Sequence, residues 1–157
     1  MSRSLGATLP AALLARLSQA DLPSLLGRAL PFVTVAADGS AHPMLCSYLE
    51  VLAVDSRTLR LAIGAGSRSA RNLEERRVGT LLVIEPERIV YIKGRAPAPP
   101  LRAGRLARFD LAVEDVLEDS PEEAEGAVRI TSGISYAPVP SLDDAWAREV
   151  FAVLRAR

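Results

Sequence analysis

From Thr58 to Leu73 the chain reads Thr-Leu-Arg-Leu-Ala-Ile-Gly-Ala-Gly-Ser-Arg-Ser-Ala-Arg-Asn-Leu. Ser67 follows a Gly64-Ala65-Gly66 corner, and Arg68 and Arg71 stand one and four residues beyond it. Gly64 and Gly66 permit backbone angles that a side chain forbids and let a ligand come close. Free N–H groups, a hydroxyl and two guanidinium groups gathered at one corner are the donors that hold a phosphate. The same residues also make an ordinary strand–helix junction with a serine N-cap and two solvated arginines, and the segment alone leaves both readings standing.

Few other residues offer chemistry. Cys46 is the only cysteine and His42 the only histidine, which argues against a disulfide within the chain and against a structural zinc site. Cys46 sits in an apolar stretch and reads as a small core residue, with no neighbouring cap or cation to make it a nucleophile. Glu122, Glu123 and Glu125 read as a solvated surface run, because they lack paired metal-ligating partners. Asn72 bonds either the phosphate corner or helix backbone groups. No catalytic acid–base pair stands out, so the catalytic residues are left unassigned.

The elements that must position these groups follow from pattern. Leu59, Leu61 and Ile63 alternate with Arg60, Ala62 and Gly64, the period of a half-buried strand, and Arg68 to Arg76 reads as the helix that follows. Upstream, Thr8 to Ala20 reads as a helix capped by Thr8, and Asp21 to Ala29 as a second short helix. Phe32 to Ala37 is a strand, Asp38-Gly39 a hairpin turn, and Ala41 to Val54 a long strand bent near Pro43. Val78 to Glu85 and Arg88 to Ala96 are strands joined by a Pro86 turn, Pro97 to Pro100 is a connector, and Arg105 to Leu117 is a further strand. Asp119 to Gly126 reads as an exposed loop or short helix, and Val128 to Ser132 as a short strand. Ser141 to Arg157 is a helix with a Ser141–Asp144 cap and a stripe of Leu142, Trp146, Val150, Val153 and Leu154, which reads as needing a partner surface. Hairpins rather than crossovers predict an antiparallel sheet, and about six strands with an apolar interior close most simply into a small barrel. The expectation is a mainly β fold: one domain over 1–157, a six-stranded antiparallel barrel over about 30–117, terminal helices, and a C-terminal helix over about 141–156.

Composition sets the outer bounds. The 157 residues are 49 % apolar and only 4 % aromatic, so the expected core is Leu, Val, Ile and Ala. Nineteen basic and nineteen acidic residues cancel, leaving no field to draw the chain onto nucleic acid or a membrane. The Leu5–Leu17 stretch is too short to span a bilayer and lacks the order of a signal peptide. The expected location is the cytoplasm.

Three segments together resemble the pyridoxine/pyridoxamine 5′-phosphate oxidase-like split β-barrel family, which binds flavin mononucleotide (FMN). They are Phe32-Val-Thr-Val-Ala-Ala-Asp-Gly-Ser-Ala-His-Pro, Gly66-Ser-Arg-Ser-Ala-Arg-Asn-Leu-Glu, and the paired strands Val78-Gly-Thr-Leu-Leu-Val-Ile and Val90-Tyr-Ile-Lys-Gly-Arg-Ala. The resemblance covers about Leu30 to Ala96. It implies that Ser67 and Arg68 hold the flavin phosphate, with Arg71 and Asn72 as further candidates. It implies that Met44, Leu45, Cys46 and Ser47 meet the flavin ring, through backbone groups. Ser69 stands where the family has a lysine, Met44 where it commonly has an arginine, and Ile89 where it has a glutamine that reaches the partner subunit's flavin. The oxidases' C-terminal arginine–histidine pair is missing, since no histidine follows His42, so the chain is not a true pyridoxine-phosphate oxidase.

The resemblance implies an FMN-dependent oxidoreductase acting on a small molecule as a homodimer, with sites at the subunit interface. A deazaflavin in the same barrel is the near variant. A non-catalytic homodimeric barrel with no working flavin site, or a haem-binding relative, are the readings from other classes. His42 is a flavin-edge or haem contact, or a polar strand-end residue near the turn. Trp146 reads as core or dimer interface before a flavin stacker.

Overall fold

The computed structural model describes residues 2–121 and 129–157. Ten strands and three α-helices are present among them, in the order β1 (Ser2–Gly6), α1 (Ala11–Leu17), β2 (Arg28–Val35), β3 (Ala41–Ser47), β4 (Val51–Ala53), β5 (Thr58–Gly64), α2 (Arg68–Arg76), β6 (Val78–Glu85), β7 (Arg88–Arg95), β8 (Leu101–Ala103), β9 (Leu106–Asp119), β10 (Ile134–Ser135) and α3 (Ala145–Arg155). The described pairings are all antiparallel, and the main path runs β2-β6-β7-β9-β5-β4, with β3 on the other side of β2. Chain continuity joins the ends of this path. β3 passes through a single 3₁₀ turn, Tyr48–Glu50, directly into β4. With β3 and β4 counted as one bent strand, six strands surround the core, which is the split β-barrel expected from the sequence.

The bend lies at Tyr48–Glu50 and not near Pro43, as the sequence suggested. Ser47 and Glu50 supply the reason, a capping box in which the Glu50 carboxylate accepts from the Ser47 N–H at 2.6 Å and from its hydroxyl at 3.0 Å. Pro43 lies opposite Val33 on a strand that pairs with β2 alone among the described residues, and such an edge strand tolerates a missing N–H. Gln19, itself in a left-handed backbone conformation, ties the corner down. Its amide donates to the carbonyls of Tyr48, Leu49 and Val51 at 3.2, 2.9 and 3.0 Å, and its oxygen accepts from Arg155 of α3 at 2.9 Å.

β9 is the spine. Its first half pairs with β5 and β8, and its second half with β7 and β1. Inward residues of the barrel, including Phe32, Leu61, Leu81 and Phe109, are fully buried in one apolar cluster. Gly79 is required by this packing, because a Cβ there would stand 2.4 Å from Cζ of the Phe32 ring.

Several expectations are corrected. The first helix is shorter, Ala11–Leu17, with Pro10 rather than Thr8 at its N-cap. The second helix is one 3₁₀ turn, Leu22–Leu25. Gly27, at φ +81°, then redirects the chain, so β2 starts at Arg28 and not at Phe32. β1 and β8 have no alternating apolar pattern and owe their form to β9. Residues 129–132 form no strand, and the short strand is Ile134–Ser135; Glu122, Glu123, Glu125 and Val128 lie outside the described residues. Ser141 and Asp144 do bond each other, but in a turn before α3, which starts at Ala145. The α3 stripe needs no partner surface: Val150 and Leu154 are sealed against this chain's own core, with Leu142 and Trp146 packed half-buried beside them.

Candidate functional site

The Gly64–Ser67 corner is built by short-range bonds. The Ser67 N–H donates to the Gly64 carbonyl at 3.0 Å and closes the turn, while Ala65 donates across to Arg105 at 2.8 Å. The Ser67 hydroxyl accepts from the Ala70 N–H at 3.1 Å, so the predicted serine cap is formed. Neither the Arg68 nor the Ser69 N–H has a partner within the helix, as the first turn requires. The side chains of Arg68 and Arg71 are exposed and carry no ion pair among the described residues. Other charges of α2 are engaged: Glu74 takes Arg102, and Arg76 reaches Glu75 at 2.8 Å. The corner therefore presents two unpaired guanidinium groups beside the positive end of a nine-residue helix.

Ser69 is turned the other way and is 2 % exposed. A lysine in that place would have to bury its charged end. Asn72 follows neither of its expected roles. Its amide donates to the Thr34 hydroxyl at 3.0 Å, and that hydroxyl donates to the His42 carbonyl at 3.3 Å. Both side chains are buried, so this chain of bonds fastens α2 across β2 to β3. His42 is half-buried at the end of β3 near the hairpin turn.

Along β3 the predicted ring-contact residues alternate. Met44 is half-buried against the core and Cys46 is buried, whereas Leu45 is 57 % exposed opposite Pro31. Burial pushes the Cys46 thiol well above its ordinary value, helped by the nearby Glu50 charge, which disfavours the thiolate. The Ser47 N–H is already taken by Glu50. Burial also raises Glu50, offset in part by the two bonds from Ser47. Tyr136 reaches the same place: burial raises its phenol, its bond with Ser47 lowers it, and Glu50 and Cys46 raise it further. The Ser47-x-x-Glu50 spacing is a local signal that could have found this corner, but nothing in the sequence pointed to Tyr136 from so far along the chain.

Among the described residues β3 pairs on one side only, which leaves half of its backbone groups facing away from β2. The Ser67 corner and Met44–Ser47 belong to elements that touch, since α2 lies on β2 and β3, but no hydrogen bond joins the two segments among the described residues. Ile89 faces outward, paired to Ile84 and Asp119. No group of three or more metal-ligating side chains exists among the described residues, and no described helix is long and apolar enough to cross a membrane.

No family model matches the chain, and no curated protein does. Solved structures do. PhzG from Burkholderia lata, solved in complex with tetrahydrophenazine-1-carboxylic acid, superposes with a TM-score of 0.56 at 16 % identity, covering 81 % of this chain and 92 % of that one. An FMN-binding protein from Syntrophomonas wolfei gives 0.54 at 12 % identity, over 69 % and 88 %. A putative pyridoxamine 5′-phosphate oxidase from Lactobacillus delbrueckii gives 0.52 at 12 % identity, over 73 % and 98 %. At such identities the likeness is one of fold.

Proposed function

We propose that this chain, whose fold is that of the pyridoxamine 5′-phosphate oxidase-like split barrels, binds FMN and serves as an oxidoreductase on a small molecule. The observation that carries the reading is the pair of unpaired arginines, Arg68 and Arg71, at the Gly64–Ser67 corner. Ser67 and Arg68 bind the phosphate, with Arg71 beside them, and the free backbone groups of β3 from Met44 to Ser47 meet the ring. Asn72 acts through Thr34 by holding α2 in place. The flavin supplies the redox chemistry, so the protein needs to bind, orient and shield it rather than provide an acid–base pair.

The site is completed by a second copy of the chain. The support is the outer face of the sheet and not the α3 stripe. Leu45 pairs with Pro31, Pro43 with Val33, Leu82 with Tyr91 and Tyr91 with Leu117. These are all exposed or half-buried, which leaves one apolar face without cover from the described residues of its own chain.

The second reading is a split barrel that holds no flavin. It is favoured by the buried Ser69 and by Met44, which together remove two positive charges from the family's phosphate and ring pocket. Fluorescence titration of the protein with FMN tests both. Saturable quenching, weakened roughly ten- to a hundredfold by Arg68→Ala, supports the assignment, because a charge-assisted bond contributes about 1.5–3 kcal/mol. Absence of saturation at tens of micromolar supports the second reading. Equal binding of riboflavin, which has no phosphate, rejects Ser67 and Arg68 as the phosphate site.

A further inference from the structure

At the far end of β2 from Thr34 and α2, a cavity of about 250 Å³ lies beneath the segment 131–135. That segment is a strap pinned at several points. Ile134 and Ser135 pair with Ala29 and Arg28, Tyr136 donates to the Gly27 carbonyl at 2.9 Å, and the Ile130 carbonyl accepts from Glu87 at 2.8 Å. Gly133 lies so close to the sheet that a Cβ there would stand 2.7 Å from the Ile84 carbonyl oxygen.

Donors dominate the polar lining. Arg28, Tyr48, Thr131, Ser132 and Ser135 line the cavity, all but Tyr48 of them exposed, and no carboxylate residue lines it among the described residues. None of the five has a hydrogen-bond or ion-pair partner among the described residues. Tyr48 is the informative one, because the residue is only 4 % exposed. Its hydroxyl makes no hydrogen bond among the described residues and is not fully enclosed, and Tyr48 lines the cavity, so the hydroxyl opens there. A buried phenol normally finds a partner. Burial holds this phenol above its ordinary value, so it remains a donor. The carboxylate that acts on it, Glu85, is already engaged by Arg16 and Arg88. Ala29, Ile84 and Pro86 supply apolar wall.

We propose that this cavity is a binding site for a small organic carboxylate, with Arg28 and Tyr48 holding the two oxygens and Ile84 and Pro86 covering the apolar body. One cation and neutral hydroxyls balance a single negative charge, which favours a carboxylate over a doubly charged phosphate ester. Six residue steps of β2, about 20 Å of strand, separate Arg28 from Thr34 beneath α2, while the cavity's Ala29 and Tyr48 adjoin Ser47 at the end of the Met44–Ser47 segment. The proposal stands whether or not the chain binds flavin.

Titration with sodium benzoate, followed by amide chemical shifts at constant ionic strength, is the test, with benzamide as the neutral control. The expected result is saturable shifts centred on residues 131–135 and on Arg28 and Ala29, with little response to benzamide. Arg28→Gln weakens binding roughly ten- to a hundredfold, and Arg57→Gln, an exposed arginine elsewhere, leaves it unchanged. Tyr48→Phe weakens it about two- to tenfold without lowering the melting temperature, because the hydroxyl it removes makes no hydrogen bond among the described residues. Failure to saturate, equal binding of benzamide, or wild-type binding by Arg28→Gln overturns the proposal.

Discussion

Replacing Gly79 by alanine tests how tightly the barrel end beneath α2 is filled. A Cβ at this position would lie 2.4 Å from Cζ and 2.9 Å from Cε2 of Phe32, both well inside the normal carbon contact of about 3.5–4.0 Å. Phe32 is fully buried, so its ring has no free space to swing into. Overpacking of this kind costs about 1–3 kcal/mol. The backbone term has the opposite sign, since glycine inside a strand is worse than alanine by roughly 0.5–1 kcal/mol. The direction of the change therefore decides which effect wins. Urea unfolding followed by circular dichroism is expected to show Gly79→Ala destabilised by about 1–2 kcal/mol net. Phe32→Leu alone costs a similar amount by removing ring carbons from the core. Leucine also removes the atoms that meet the new methyl. The double variant is then expected to be more stable than the sum of the single losses by about 1 kcal/mol or more. A stabilised Gly79→Ala, or strictly additive losses, would refute the reasoning.

The remaining expectations concern charge and assembly. Glu85 is 7 % exposed; burial raises its carboxyl, but the bonds from Arg88 at 2.8 Å and Arg16 at 2.6 Å prevail and hold it below its usual value near 4.5. A depressed folded value contributes stability above the unfolded one and loses it as pH falls, so Glu85→Gln should cost about 1–3 kcal/mol at neutral pH and progressively less below pH 4.5 in urea melts. A pH-independent difference would count against it. Light scattering is expected to give twice the 16.8 kDa chain mass, and Leu45→Glu a monomer with an unchanged circular dichroism spectrum. A wild-type monomer at micromolar concentration rejects the second-copy reading.

How much of this was legible depends on the range of the interaction. The period-2 runs at Thr58–Gly64, Val78–Glu85 and Arg88–Arg95 declare their own buried faces, and so the six-stranded barrel could be read directly. The serine cap of α2 was legible for the same reason, since Ser67 and Ala70 are three residues apart. What escaped notice was set by distant partners. Ser2–Gly6 is mostly exposed and becomes a strand only because Ser2 meets Asp119 on β9. The role of Asn72 depends on Thr34, 38 residues away, which no local pattern encodes. The α3 stripe was correctly seen as apolar, but a stripe does not say whether its own chain or another covers it.

The position of β9 has a consequence for how the chain acquires its structure. β5 and β7 both take their central ladder from Leu106–Asp119, which is synthesised after them. Until that stretch leaves the ribosome, β2, β3, β6 and β7 can pair with one another and β4 with β5, but β5 and β7 lack the neighbour that joins the two groups and closes the core. The last fastening comes later still, when Arg60 and Arg108 grip the carbonyls of Leu154 and Ala156 at the end of α3. Pairings this remote in sequence favour slow, late and cooperative assembly. Until β9 arrives, the nascent chain exposes the apolar inner faces of five strands, and it is at this stage, more than in the finished molecule, that it depends on protection from aggregation.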